Sequence, residues 1–261
     1  MPYFDGAKGR VYFKRWRSGH TDAVIVFLHG YGEHSGFYHR LGNVLNHANI
    51  ELFALDQIGH GLSEGERAVI ASFDDLVANG RRLTEIAVSS VPGVPVFLMG
   101  HSIGAIAAAL AIMEDSTTFA GAVLTGSLLS PVPWVLDLVE AGDDATFELE
   151  LSMLSSDPLY LDEIENDQLA FSTDEGAKSL ARIIPPAWEA IAHGFGDVEL
   201  PILFLQGEFD VLGPVEIARS WANRLAKAKM VVFEGQQHDI LNESVHADVA
   251  KEIIAFVESH R

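Results

Sequence analysis

A serine lies between two glycines in the segment Gly100-His101-Ser102-Ile103-Gly104, which has the pattern Gly-x-Ser-x-Gly. An apolar run typical of a strand, Val94-Met99, precedes the segment, and a helical pattern, Ile103-Met113, follows it. A serine at a sharp strand-to-helix turn exposes its Oγ beside free backbone N–H groups that stabilise an oxyanion. The pattern therefore predicts Ser102 as a nucleophile. A glycine-rich turn with an ordinary N-cap serine is the alternative that the motif alone leaves open.

An acid and a base follow later in the chain, in an order that a catalytic triad can use. Asp210 lies four residues beyond one predicted strand, and His238 lies five residues beyond the next. Loops at the carboxyl ends of parallel strands meet at one edge of the sheet. We therefore expect His238 to accept the Ser102 proton and Asp210 to orient the imidazole. Glu208 is a rival acid that the spacing does not exclude.

The predicted strands and helices alternate along the chain. The apolar runs typical of buried strands are Val24-Leu28, Leu52-Leu55, Val94-Met99, Gly121-Thr125, Ile202-Gln206 and Met230-Phe233. The helical patterns are Phe37-Asn46, Phe73-Ser90, Ile103-Met113, Val215-Leu225 and Ser244-His260. This alternation predicts an α/β fold with a mostly parallel sheet that is covered by helices on both faces.

The alternation breaks once, between Thr125 and Ile202. Several prolines, among them Pro185 and Pro186, divide that stretch into short amphipathic pieces. We interpret it as a cap inserted at about residues 127–192 into a single domain that spans residues 1–261.

The composition excludes several classes of function. Hydrophobic residues make up 48% and charged residues 21% of the chain, as in ordinary globular proteins. No apolar run reaches the roughly 18 residues of a membrane span, and the first residues do not resemble an export signal, so we expect a cytoplasmic protein. The absence of cysteine excludes thiol nucleophiles and thiolate metal sites, and a net charge of −20 disfavours nucleic acid as a partner.

Three further segments accompany the one around Ser102. These are His29-Gly30-Tyr31-Gly32-Glu33-His34-Ser35, Asp56-Gln57-Ile58-Gly59-His60-Gly61-Leu62-Ser63-Glu64-Gly65 and His238-Asp239-Ile240-Leu241-Asn242-Glu243. Together, in this order, the four segments resemble the monoacylglycerol lipase family of serine α/β-hydrolases. The resemblance covers most of the chain.

The resemblance implies an α/β-hydrolase fold and hydrolysis of a monoacylglycerol or a similar neutral lipid monoester, with no cofactor and no metal. It implies an acyl-enzyme on Ser102 and an oxyanion hole made by the backbone N–H groups of Tyr31 and Ile103. The sequence departs from the family pattern twice. Ile58 stands where the family usually has arginine, and Ala105 stands where a third glycine commonly follows the serine motif.

Alternative functions remain open at this point. A short-chain or aryl monoester is an alternative substrate, and a ligand-binding receptor with negligible turnover is an alternative of another class. The segment from Gly30 to Gly36, followed by Asp56, also resembles a Rossmann dinucleotide site, although its third glycine comes one place too late. The sequence does not indicate an oligomeric state.

One predicted cap helix, behind Pro133, carries an apolar face. Its members are Trp134, Val135, Leu138 and Val139. This face could cover an acyl pocket and make transient contact with a lipid surface, or it could simply pack on the rest of the cap.

The cap is acidic. Residues 127–177 include thirteen Asp or Glu residues and no Lys, Arg or His. A negative rim over the active site would slow the approach of anionic esters, and salt would screen it, because the Debye length falls from about 10 Å at 0.1 M to about 3 Å at 1 M. We expect kcat/KM to rise with NaCl for an anionic monoester and to stay nearly flat for its neutral isostere. Equal salt responses would show that the cap charge does not select substrates.

Overall fold

The computed structural model describes residues 2–147 and 149–261. The strands are β1 (Tyr3–Gly6), β2 (Gly9–Trp16), β3 (Ala23–Leu28), β4 (Ile50–Leu55), β5 (Val96–His101), β6 (Gly121–Thr125), β7 (Ile202–Gly207) and β8 (Ala228–Phe233). The α-helices are α1 (His39–His47), α2 (Phe73–Ser90), α3 (Ile103–Glu114), α4 (Pro133–Ala141), α5 (Pro158–Glu165), α6 (Asp174–Gly194), α7 (Val215–Arg224) and α8 (His246–His260).

The strands form one sheet in the order β1-β2-β4-β3-β5-β6-β7-β8. The pairs from β4 to β8 are parallel, whereas β1 pairs with β2 and β2 pairs with β4 in antiparallel register. The predicted α/β fold with a mostly parallel sheet is confirmed. The sequence analysis missed β1 and β2, because charged residues such as Arg10 and Lys14 interrupt the apolar pattern of this edge of the sheet.

The central strands are buried on both faces. In β3, Val24 and Val26 pack in the core shared with α2 and α3, while Ile25 and Phe27 pack in the core shared with α1 and α8. Helices on both faces therefore explain why this strand is a continuous apolar run rather than an alternating one.

The segment between β6 and β7 contains α4, α5 and α6. The prediction that Pro185 and Pro186 separate short pieces is wrong, because both lie inside the 21-residue helix α6. Proline in a helix interior removes a backbone hydrogen bond. Here the cost is offset by packing of the buried side chains of Ile184 and Ile191, and by the Trp188 indole, which donates to the Leu128 carbonyl at 2.6 Å. The helix ends two residues beyond the expected cap boundary at residue 192.

One Arg–Asp ion pair and two contacts between a histidine and a carboxylate tie the acidic cap to the loop after β3 and to α1. Arg40 Nη1 lies 2.8 Å from Asp157 Oδ2, and His34 Nε2 lies 3.2 Å from Asp167 Oδ2. His39 faces Glu163 at 3.8 Å. Some of the thirteen acidic residues therefore hold the cap in place rather than forming a free rim.

Asp157 combines two stabilising contacts. It caps α5 by accepting the Leu159 N–H at 2.9 Å, and it pairs with Arg40. Burial alone would raise the pKa of Asp157, but the hydrogen bonds from Arg40 and the backbone lower it. The pairing with Arg40 therefore stabilises the folded protein fully at pH values above the ordinary carboxyl pKa. This stabilisation is lost as the pH falls through the lowered pKa of Asp157.

We expect Asp157→Ala to lower the free energy of unfolding by about 1–3 kcal/mol at pH 7, because a helix cap and a charged hydrogen bond are both removed. Urea denaturation followed by circular dichroism measures this. Asp137→Ala, which removes the same charge from an exposed position on α4, is the matched control and should change stability by less than about 0.5 kcal/mol. Equal losses in the two variants would contradict the role assigned to Asp157.

Candidate active site

Ser102 lies in a strained turn between β5 and α3. Its φ of 54° and ψ of −122° are unusual for a residue other than glycine. The flanking glycines are required by close backbone contacts. A Cβ on Gly100 would collide with the Gly104 carbonyl, and a Cβ on Gly104 would collide with the Leu28 carbonyl at the end of β3. The turn therefore has the strained strand-to-helix geometry expected around a serine nucleophile, although Ser102 itself is only 8% exposed.

The structure brings the predicted acid and base together. His238 Nδ1 lies 2.8 Å from Asp210 Oδ2, with the ring nitrogen as donor, and both residues are buried. Asp210 Oδ1 accepts the backbone N–H groups of Leu212 at 3.0 Å and Gly213 at 2.7 Å. These bonds fix the carboxylate that holds Nδ1 of His238, so Nε2 is the ring nitrogen that the expected role of base would use.

The rival acid Glu208 is placed elsewhere. Its side chain is exposed, and Oε2 accepts the N–H of Gly235 at 2.9 Å. The geometry therefore favours Asp210 as the partner of His238.

The loop after β3 carries the second expected oxyanion donor. His29 Nε2 accepts the Gln57 N–H at 2.8 Å, so Nδ1 carries the proton and donates to the Gly30 carbonyl at 2.7 Å. Burial lowers the pKa of His29 well below its ordinary value, which keeps this ring neutral. The ring thus ties the loop after β3 to the segment that follows β4.

A cavity of about 280 Å³ opens onto this arrangement. Its polar lining comprises Gly30, Tyr31, Gly32, Glu33, His101, Ser102, Glu165, Ser172, His238 and Asp239. Its apolar lining comprises Ile103, Trp134, Phe147, Leu149, Leu151, Leu154, Ile164, Ala170, Phe171 and Leu212. The predicted nucleophile, the base and both predicted oxyanion residues therefore border one space. The Ile103 N–H, at the first position of α3, is among the donors that a helix leaves unpaired.

The four predicted residues of the first cap helix have different environments. Trp134 lines the cavity and stacks on Phe147, with ring centroids 5.0 Å apart. Val135 and Leu138 are buried in the core, and Val139 is 44% exposed. Val135 and Leu138 therefore pack in the core that also includes residues of α2 and α3, which extends beyond the rest of the cap named in the alternative.

The chain is similar to known hydrolases. The family model described as serine aminopeptidase, S33, matches residues 19–245. The chain belongs to this family. It is 30% identical to the monoglyceride lipase of Rattus norvegicus, over 100% of this chain and 91% of that protein. It is 31% identical to the monoglyceride lipase of Homo sapiens, over 93% of this chain and 84% of that protein.

A crystal structure of the monoacylglycerol lipase of Paleococcus ferrophilus superimposes with a TM-score of 0.82, at 24% identity, over 96% of this chain and 99% of that one. The expected relationship to monoacylglycerol lipases is confirmed, and the chain is a carboxylesterase-type hydrolase with the α/β-hydrolase fold. The Rossmann alternative is thereby excluded. In the loop concerned, the Gly30 N–H donates to the carboxyl group of Glu33.

The two departures from the family pattern are both accommodated in the core. Ile58 is 3% exposed, and its side chain lies close to Gly9 and Gly65. Ala105 is fully buried in α3.

No helix in the described part of the chain has the length and apolar character that a membrane span requires. Over the same residues, no cluster of three or more His, Asp and Glu side chains has the arrangement of a metal site.

Sequence reasoning did not single out three polar residues that border the cavity, which are Glu33, His101 and Asp239. The sequence did contain an indication of them, because each of the three residues lies inside a segment that carries the family resemblance. Spacing along the chain cannot show that residues from separate loops line one cavity together with Ser102.

The electrostatic surroundings of His238 determine a pH dependence. Burial alone would lower its pKa, but the charge and hydrogen bond of Asp210 and the charge of Asp239 outweigh this and raise the pKa above 6.5. Only the neutral ring can accept a proton, so with His238 in the expected role of base we expect activity above this pKa and its loss as the pH falls through it.

We expect the acid limb of kcat/KM for a soluble ester to lie above pH 6.5. A profile of rate against pH at constant ionic strength checks this. Full activity at pH 5, with a limb near about 4, would indicate a carboxylate base instead of histidine.

Proposed function

We propose that the protein hydrolyses neutral lipid monoesters, most directly monoacylglycerols, through a triad of Ser102, His238 and Asp210. The observation that carries the proposal is the buried hydrogen bond between Asp210 and His238, because the His238 side of this pair lines the same cavity as the strained Ser102 turn. The full-length similarity to proteins named as monoglyceride lipases supports the choice of substrate.

In the first half of the reaction, the Ser102 Oγ attacks the ester carbonyl and His238 Nε2 takes its proton. The carbonyl oxygen becomes an oxyanion, and the backbone N–H groups of Tyr31 and Ile103 stabilise it. Asp210 stabilises the imidazolium that forms.

In the second half, the imidazolium returns its proton to the leaving alcohol and the acyl group stays on Ser102. Water then attacks the acyl carbonyl while His238 takes a proton from it, and the collapse of this intermediate releases the carboxylic acid. No step requires a cofactor.

The cavity volume favours a second candidate substrate, a short-chain or aryl monoester. A space of about 280 Å³ is near the lower end of ligand pockets and suits a short or medium acyl chain. Measuring kcat/KM for a series of monoacylglycerols and 4-nitrophenyl esters of increasing acyl length distinguishes the two. A burst of product without steady turnover would instead indicate a ligand-binding receptor.

We also propose that the cap makes transient contact with a lipid surface. Leu136 and Val139 on α4 are 49% and 44% exposed, on the helix whose Trp134 lines the cavity. Asp137 and Glu140 on the same helix disfavour anionic surfaces, so neutral lipid is the matching partner.

We expect Ser102→Ala to keep the fold and to lower kcat on the order of 10⁶-fold, because the triad loses its nucleophile. Asp210→Asn should lower kcat about 10⁴-fold, because the imidazole then takes the wrong tautomer. Steady-state hydrolysis of a 4-nitrophenyl ester measures both. Ser90→Ala, an exposed serine at the end of α2, is the control and should retain wild-type activity. A Ser102→Ala variant with a tenth of the activity would refute the mechanism.

A further inference from the structure

A fully buried glutamine lies behind the acid of the proposed triad. Gln206, near the end of β7, is 0% exposed, and its Nε2 donates to Asp210 Oδ2 at 2.5 Å. The same carboxylate oxygen accepts the Nδ1–H of His238 at 2.8 Å. The reaction steps proposed above do not use Gln206, although its side chain contacts the acid directly.

The other contacts of the Gln206 amide fix its orientation. Its Oε1 accepts the backbone N–H of Ser127 at 3.1 Å, and its Nε2 also donates to the Gly213 carbonyl. A flipped amide would turn its NH₂ group toward the Ser127 N–H and its oxygen toward the Asp210 carboxylate. Both donor hydrogens of the amide therefore face the loop that carries the acid.

A short segment at the end of β6 contacts the other two members of the proposed triad. The Ser102 N–H donates to the Thr125 carbonyl at 3.0 Å. The next residue, Gly126, has a φ of 52°, and a Cβ built there would lie 2.9 Å from Cε1 of His238. The following N–H, that of Ser127, is the one that holds the glutamine. Through the glutamine, the acid is tied to the same segment as the nucleophile and the imidazole.

The glutamine also acts on the charge of the acid. In the described residues, four N–H groups donate to the Asp210 carboxylate: those of Leu212 and Gly213 to Oδ1, and those of His238 and Gln206 to Oδ2. A donor that shares an oxygen with the imidazole draws negative charge away from the bond to the ring. Gln206 therefore weakens the attraction between Asp210 and the imidazolium.

The remaining groups that face His238 act differently. Burial alone would lower the pKa of His238, whereas the charge and hydrogen bond of Asp210 and the charge of Asp239 raise it. The ring of His101 lies 4.8 Å from that of His238, centroid to centroid, but burial lowers the pKa of His101 to about 4, so this ring is neutral at pH 7. Gln206 contacts Asp210, the carboxylate that is bonded directly to the imidazole.

We propose that Gln206 is a positioning residue that holds the Asp210 carboxylate on its imidazole partner and moderates the basicity of His238. The amide fixes the carboxylate relative to the end of β6. Its bond to Oδ2 also limits how tightly the acid holds the imidazolium, which must give its proton to the leaving alcohol. This inference rests on the proposed triad and adds a residue that touches neither the substrate nor the reacting atoms.

The first test is Gln206→Met, which keeps an unbranched side chain of similar length and removes the amide. Without this donor, Asp210 attracts the imidazolium more strongly, so the acid limb of kcat/KM should move up by about half a pH unit or more. The carboxylate is also less firmly fixed, so the plateau of kcat/KM should fall about tenfold, far less than the loss expected of Asp210→Asn. A rate–pH profile with 4-nitrophenyl butyrate at constant ionic strength measures both quantities.

Asn79→Leu is the matched control, because it also removes a buried amide. The Asn79 side chain lies on α2, is 0% exposed and accepts the Ala7 N–H at 2.7 Å. We expect this variant to lose stability in urea denaturation without moving the acid limb.

The outcomes separate the two proposals. If wild-type protein does not hydrolyse the ester, the proposed function fails and this inference fails with it. If wild-type protein is active and Gln206→Met leaves the acid limb unmoved, the role assigned to Gln206 is refuted while ester hydrolysis stands. An equal shift of the acid limb in Asn79→Leu would refute it as well.

A measurement on wild-type protein covers the case in which Gln206→Met does not fold. Nuclear magnetic resonance with ¹⁵N-labelled glutamine and histidine follows the Gln206 amide and the His238 ring as the pH falls. Because both groups donate to one oxygen, we expect the Gln206 amide proton to move upfield as His238 becomes charged and takes a larger share of that oxygen. A Gln206 amide signal that stays constant while His238 titrates would overturn the proposal.

Discussion

The close approach of the turn after β5 to the end of β3 is the constraint on which the site depends. Ser102 can hold its strained conformation only because Gly100 and Gly104 carry no side chains, and Gly104 packs directly against the Leu28 carbonyl. This contact places the first turn of α3 beside the loop that begins at His29. One backbone arrangement therefore sets both the direction of the nucleophile and the separation of the two expected oxyanion donors.

The cap connects the three loops that carry the candidate chemistry. The Phe171 N–H donates to the Gly32 carbonyl at 3.0 Å, and the Trp134 indole donates to the Leu212 carbonyl at 2.9 Å. The Asp239 N–H donates to the Leu154 carbonyl at 2.7 Å. Through these three bonds the cap contacts the loops that carry Tyr31, Asp210 and His238, and the ion pair of Arg40 with Asp157 adds a further anchor for the acidic cap.

The sequence predicted the parts of the structure that follow from local pattern and order. Continuous apolar runs indicated the central strands, and residues placed just after β7 and β8 had to meet at one edge of the sheet. Ser102, Asp210 and His238 could therefore be chosen before their geometry was known. The edge strands β1 and β2 lack an apolar run, and helix α6 continues through Pro185 because tertiary packing outweighs local preference. The presence of Glu33 and Asp239 along one cavity depends on how two loops fold, which no spacing rule describes.

The central claim is that an acyl group is carried on Ser102. Rapid quenching of the reaction with 4-nitrophenyl butyrate, followed by intact-mass measurement and peptide mapping, tests it directly. The account predicts a protein population heavier by one butyryl group, with the label on the peptide that contains Ser102 and a burst of nitrophenol of matching amount. Steady product formation without any acylated protein, or a butyryl group on another residue, would contradict it.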